Sequence, residues 1–167
     1  MTLKGYDDRF YRDVIGCPRD DVWGMIVELA RSKRWCEVVT LIVPTMNDDE
    51  AGLRSIARSL ARVGRDIPLH FLRFFPAFKL KNLPPTPLAT LERARAIALE
   101  EGLRFVYLAN LPGHRGGSTY CSSCGELLVE RSGFNVVRNA LQDGACGRCR
   151  QRLPGLDLAA LPAEDHY

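Results

Sequence analysis

A chain of 167 residues has room for one α/β domain and a small appendage, but not for a closed eight-stranded barrel, which takes roughly 200 residues or more. A formal net charge of +3 requires no acidic partner. No apolar run approaches the ~18 residues of a membrane span, and no basic-then-apolar leader opens the chain, so the totals predict a soluble, cytoplasmic protein without membrane contact.

In chain order, Leu3-Lys4-Gly5 reaches a polar turn after almost no strand, as though the chain began inside a strand rather than before it. Residues 7–14 predict a short helix. A second helix is expected from about Asp20 to Ser32, with Val22, Ile26 and Leu29 on its core face and Trp23 and Met25 beside them. Cys17 and Cys36 stand alone and are expected to pack as small buried hydrophobes. Residues 38–43 form a β-branched run typical of a strand buried on both faces. Pro44 ends it, Asn47 with Glu50 three residues on predicts a helix cap, and Leu53, Ile56, Ala57, Leu60 and Val63 recur at helical spacing up to Gly64.

That strand–loop–helix unit repeats. A strand over 69–75 leads into a loop over 74–87 with four prolines and two lysines. Thr86 as cap and Pro87 in the first turn open a helix whose predicted apolar face is Leu88, Leu91, Ala94, Ala98 and Leu99. A third strand over 104–109 follows Gly102. The fold class is therefore α/β, with parallel strands joined by helical crossovers. Ligands of such sheets bind at the carboxyl ends of the strands, here residues 44–47, 75–78 and 110–113. The acidic run Asp48-Asp49-Glu50 is accounted for by the helix dipole.

Composition changes after Asn110. The glycine-rich stretch 111–118 reads as a linker. Beyond it Cys121-Ser-Ser-Cys124 and Cys146-Gly-Arg-Cys149 are two Cys-x2-Cys turns, each able to present both sulfurs to one ion. The segment between them breaks at Ser132-Gly133 into two strand-like runs, a hairpin that would bring the turns together as a zinc ribbon. Four thiolates leave no open coordination position, so the zinc is expected to be structural, with rubredoxin-like iron as the alternative. Residues 111–155 hold six arginines (115, 131, 138, 148, 150, 152) against three acidic residues (126, 130, 143). With a zinc tetrathiolate that balance falls to about +1, a weak footprint for nucleic acid. His70, His114 and His166 are each expected to be packing or surface residues. Three units follow: 1–112, 113–155, and a tail, 156–167, with no assigned fold.

Together, several motifs resemble one family. They are Leu-Lys-Gly-Tyr-Asp-Asp-Arg-Phe-Tyr-Arg (3–12), Thr-Leu-Ile-Val-Pro-x-x-Asn-Asp (40–48), Arg-Phe-x-Pro (73–76), Leu-Pro-Pro-Thr-Pro (83–87), Glu-Glu-Gly-Leu-Arg-Phe-Val-Tyr (100–107), Asn-x-Pro-Gly-His (110–114) and Thr-Tyr-Cys-x-x-Cys-Gly-Glu-Leu-Leu (119–128). The set is similar to the AmmeMemoRadiSam-system radical SAM enzymes, relatives of the activating enzymes of pyruvate formate-lyase, over the C-terminal half of such an enzyme. The resemblance implies a partial βα barrel, S-adenosylmethionine, and a [4Fe-4S] cluster held by a Cys-x3-Cys-x2-Cys loop that cleaves it to a 5′-deoxyadenosyl radical. It also implies that Lys4, Asn47 and Arg73 contact cofactor or substrate. The cluster loop is absent from residues 1–167. The family's aspartate before Leu-Lys is Thr2, its Val-Pro-Gly turn is Val43-Pro44-Thr45, and its Arg-Phe-His-Pro is Arg73-Phe74-Phe75-Pro76. The expectation is a C-terminal half barrel, inactive alone, with an exposed apolar edge at its first strand and a cluster-bearing N-terminal half or a protein substrate as partner. The alternatives are a non-catalytic zinc-ribbon module contacting a protein or nucleic acid, and a fragment without function.

Overall fold

The computed structural model describes residues 1–32 and 34–155; the tail, 156–167, lies outside the described residues. Helix α1 (Asp8–Phe10) runs into a π turn (Tyr11–Ile15), and α2 (Arg19–Arg31) follows. Strands β1 (Val38–Ile42), β2 (Leu69–Arg73) and β3 (Val106–Ala109) alternate with helices α3 (Glu50–Val63) and α4 (Leu88–Glu100). The three strands are parallel and lie in sequence order, in register from Val38 through Leu69 to Val106. Beyond a short 3-10 turn, Arg115–Gly117, come β4 (Thr119–Tyr120), β5 (Leu127–Ser132) and β6 (Asn135–Asn139) in one antiparallel sheet, and β7 (Leu141–Gln142) with β8 (Ala145–Cys146) in another.

The register divides the parallel sheet into two unlike faces. Val38, Ile42, Leu69, Phe71, Val106 and Leu108 share one face and one buried cluster with Leu53, Ile56, Ala57 and Leu60 of α3 and Leu91, Ala94, Ile97 and Ala98 of α4. Both crossover helices therefore cover the same side. The opposite side presents the rows Val39–His70–Tyr107 and Leu41–Leu72–Ala109, all only half-buried. The strands are thus not buried on both faces, as the apolar run in 38–43 had predicted. A side chain such as Phe71, fully buried on the helix face, contributes about 1.5–3 kcal/mol by leaving water, which is where most of the sheet's stability arises.

The two edges of this sheet differ as well. On β3, the outward carbonyl of Val106 accepts from the Arg95 guanidinium at 3.0 Å. Next to it Gly116 packs so closely on Leu108 that an added Cβ would sit 2.9 Å from that side chain. Glycine is required there by contact; the stretch 111–118 is a packed corner and not a loose linker. On the other edge, Leu3 N–H donates to Val39 O and Val39 N–H to Met1 O, making one parallel bridge at Thr2. Leu3 is buried, so the apolar side chain is covered. The outward N–H and C=O of Thr2, however, have no partner among the described residues.

Several local expectations yield to tertiary contacts. Asp49, not Asn47, caps α3 by accepting from Gly52 N–H. Thr86 does not cap α4: its fully buried hydroxyl donates to Ile42 O and accepts from Phe74 N–H, tying the loop after β2 to the end of β1. Leu88, Leu99 and Met25 are exposed, and Ile97 takes the place in the α4 core face assigned to the two leucines. Gly64 ends α3 in an extended conformation, φ −176°, rather than a left-handed one. Cys36 is buried as expected, and Cys17 half-buried.

Candidate metal centre and open sheet face

Each cysteine of the two turns is placed by backbone geometry before any ion is considered. Cys121 follows β4, and its N–H donates to Glu126 O across the first turn while Gly125 N–H returns to Cys121 O. Gly125 has φ +74°, the left-handed conformation that closes such a turn at no steric cost. Cys146 ends β8, and Arg150 N–H donates back to Cys146 O. The hairpin β5–β6, with Ser132 and Gly133 at its bend, joins the turns as the sequence indicated.

The four sulfurs of Cys121, Cys124, Cys146 and Cys149 lie within 4.8 Å of one another. Cys121 and Cys149 approach to 3.5 Å and Cys124 and Cys146 to 3.7 Å. A tetrahedron of thiolates at ~2.3 Å from zinc has edges of ~3.8 Å, so the spacing suits one ion, whereas a disulfide needs about 2.05 Å. Charge tells the same story. Burial opposes ionisation of Cys121, but the amides of Cys124 and Ser123 and the adjacent thiols outweigh it and bring its pKa down to about 7. For Cys124 the amide of Glu126 favours the thiolate, yet burial and the three neighbouring sulfurs prevail and push it to about 12. Four sulfurs this close cannot all ionise without a cation among them. The cluster can therefore bind a metal ion such as zinc. Its small apolar surround, Leu128 and Val129 with Leu141 and Leu153, is too slight to fold such a unit by burial alone.

The three residues carried over from the resemblance fall at the carboxyl end of the sheet but do different things. Asn47 is nearly buried. Its Oδ1 accepts from Val43 N–H at 2.7 Å, and its Nδ2 donates to Lys4 O at 2.6 Å and Leu41 O at 2.9 Å. Both amide hydrogens and the carbonyl are thus spent on joining the N-terminal segment at Lys4 to β1 and the turn after it. Arg73 shares the helix-covered face with Phe71. Its Nε donates to Thr86 O, and its guanidinium lies 5.1 Å from the Phe75 ring centroid. Lys4 is brought to Asn47 through its carbonyl, while its ammonium has no partner among the described residues. Around this rim stand three non-glycine residues with left-handed backbones, one after each strand: Thr45 (φ 67°), Phe78 (φ 47°) and Asn110 (φ 59°). For β-branched Thr45 that conformation costs about 1–2 kcal/mol; it occupies the position where the resembled family has glycine.

Sequence reasoning missed a polar line across the open face. Trp35 Nε1–H donates to Glu37 Oε1 at 2.9 Å, and Glu37 Oε2 meets His70 Nε2 at 2.8 Å. The His70 ring stacks on Tyr107, centroids 4.9 Å apart. The Tyr107 hydroxyl is 3.0 Å from Thr119 Oγ1, which also accepts from Arg131 Nη1 at 2.7 Å. The two-residue period placing His70 and Tyr107 on one face was readable; the pairing in register was not. His114 lies off the sulfur cluster, its Nδ1 accepting from Gly116 N–H. Arg148 turns to Glu126, and Arg150 to Gln142, so these two arginines are engaged within their own module. Among the described residues no helix is long and apolar enough to cross a membrane.

The chain is similar to an uncharacterized protein of Methanocaldococcus jannaschii, MJ0808, at 41% identity over 156 residues, 92% of this chain and 46% of that protein. It thus spans about half the length of the curated relative it matches. No protein-family model matches the chain.

Proposed function

We propose that this chain acts as the C-terminal half of a radical SAM enzyme of the activating type, with a structural zinc in its four-cysteine module. Strands from a cluster-bearing half would complete its βα half barrel. The observation that carries the reading is the asymmetry of the parallel sheet. Three strands in sequence order with helices on one face make an arc of a βα barrel, since a doubly wound sheet would reverse its order and use both faces. The β3 edge is stopped by Arg95 and the corner at Gly116, while the Thr2 edge is left open for a further parallel strand. A relative about twice as long agrees with a missing half.

The chain contains no Cys-x3-Cys-x2-Cys loop, and its zinc module uses four of six cysteines, so its own residues do not fit the radical-generating cluster. Its part is to supply the concave wall and half of the rim. Lys4 offers a positive charge to the anionic end of a bound ligand; Asn47 and Arg73 hold the rim in shape. The test is to prepare residues 1–167 with iron and sulfide, alone and with a chain bearing the three-cysteine loop, and to assay metal content and cleavage of S-adenosylmethionine. One zinc and no turnover alone, with a stoichiometric complex and turnover together, is the expected result. Turnover by this chain alone refutes the reading.

One observation favours a second reading, a non-catalytic module contacting a protein. Strand β6 is exposed along its whole length; Val136 and Val137 stand in water on it, as does Phe134 in the turn before it. Loss of a partner on Phe134→Ser, with no effect of the cluster-bearing half, would promote it; salt-sensitive RNA binding would redirect it to nucleic acid.

A further inference from the structure

The polar line on the open face ends inside the cysteine module. Thr119 is two residues before Cys121, buried, and held in β4 by pairing with Val129 of β5. Its hydroxyl is the meeting point of the Tyr107 hydroxyl and the Arg131 guanidinium. Arg131 in turn lies 5.9 Å from the Tyr107 ring centroid, and its own N–H donates to Ser118 Oγ. From Tyr107 on β3 the contacts continue through the stacked His70 on β2 to Glu37 and Trp35 in the segment that leads into β1.

A four-thiolate module of this size changes state with its ion: thiolates packed this closely repel without a cation, and metal binding in such units is folding. That supplies the two-state element which a chain of contacts alone lacks. With the ion bound, β4 and β5 fix the Thr119 hydroxyl against the Tyr107 hydroxyl of β3. Without it, Thr119 and Arg131 lose their frame, the half-buried Tyr107 loses a partner for its hydroxyl, and the ring on which His70 stacks is freed to shift.

We infer that the metal held by Cys121, Cys124, Cys146 and Cys149 sets the positions of Tyr107 and His70 on the open sheet face, with Thr119 as the joint. The cysteine module is then a control on the concave wall and not only a folding clamp. The inference rests on reading the cluster as a metal site, and the experiment separates the two.

The chain of residues 1–167 is loaded with zinc, its metal content measured, and the ion then removed with a chelator under reducing conditions. Signals of the His70 imidazole, the Tyr107 ring and the Trp35 indole are followed by NMR, with Trp23 of α2 as internal control. Removal of zinc should shift Tyr107, His70 and Trp35 and leave Trp23 in place. Amide exchange along β3 should rise roughly two- to tenfold, the scale of one net hydrogen bond. Thr119→Val with zinc fully bound should reproduce the Tyr107 and His70 shifts, and Thr119→Ser should restore them. Should Thr119→Val lose zinc, Tyr107→Phe decides: it keeps the ring and removes the hydroxyl, and its His70 response to chelation should fall below half that of the parent. Zinc that binds and leaves without moving Tyr107 or His70, or an undiminished response in Tyr107→Phe, overturns the inference alone. Failure to bind stoichiometric zinc overturns the metal reading with it.

Discussion

Substituting Asn47 separates two roles that the sequence cannot tell apart. A helix cap at this position would tolerate Asp as well as Asn and would lose only about 1 kcal/mol on change to Ala. The structure gives a different expectation. In Asn47→Asp the Oδ1 bond to Val43 N–H survives, but Lys4 O and Leu41 O, 2.6 and 2.9 Å from the amide nitrogen, would face a carboxylate oxygen in a nearly buried site. Two carbonyls lose their donor and meet a negative charge; at about 1–3 kcal/mol for each unsatisfied buried group the loss is about 2–6 kcal/mol. For a protein of this length that is a fall in Tm of about 4–24 °C. Asn47→Ala, which strands three groups without adding charge, should fall in the same range, and Asp49→Ala, the true cap, near 1 kcal/mol. Urea midpoints with unchanged slopes measure all three. An Asn47→Asp protein within about 0.5 kcal/mol of the parent refutes the argument, because only a cap position accepts that exchange.

Three further outcomes follow from the same geometry. Glu101 is held by hydrogen bonds first from Arg58 and then from Arg54, which bring its pKa from 4.5 down to about 2. A depressed carboxylate contributes stability that is present above its unfolded pKa and disappears as pH falls through the folded one, so this contribution should vanish between about pH 4.5 and 2. Arg58→Gln should raise the Glu101 titration seen by carboxyl NMR and flatten that part of the acid limb. Thr45→Gly relieves a left-handed threonine against the added chain entropy of glycine, a net gain of about 0.5–1 kcal/mol visible as a Tm higher by about 1–4 °C. Cys121→Ser or Cys146→Ser should abolish stoichiometric zinc and the exchange protection of β4 to β8, while the core around Phe71 and Leu91 stays folded, since the two hydrophobic clusters are separate.

The readable parts of the fold were those where one element decides its own pattern. Helix α3 buries Leu53, Ile56, Ala57 and Leu60, as their spacing demands, because a single apolar stripe leaves no other way to pack it. The cysteine turns were readable because ligand spacing is local. Helix α4 was harder: with alanines and leucines all round, the face containing Ile97 is chosen by the neighbouring sheet and not by periodicity. Asn47 and Thr86 look like caps in sequence since both are good capping residues near helix starts. Only the approach of Lys4 and Leu41, or of Ile42 and Phe74, turns them into braces. The glycines of 111–118 read as slack because a sequence does not reveal that Leu108 will lie against Gly116.

The capped margin at Val106 and the bare one at Thr2 also govern how copies of this chain can meet through the parallel sheet. A sheet able to recruit a neighbour on either flank lengthens without limit and yields fibres. Here one flank is obstructed at Val106 O and by the Gly116 corner, so a join through Thr2 takes the more open flank of that sheet. A twin joined there would carry the same obstruction on its far side, so lateral growth between copies is checked at a pair.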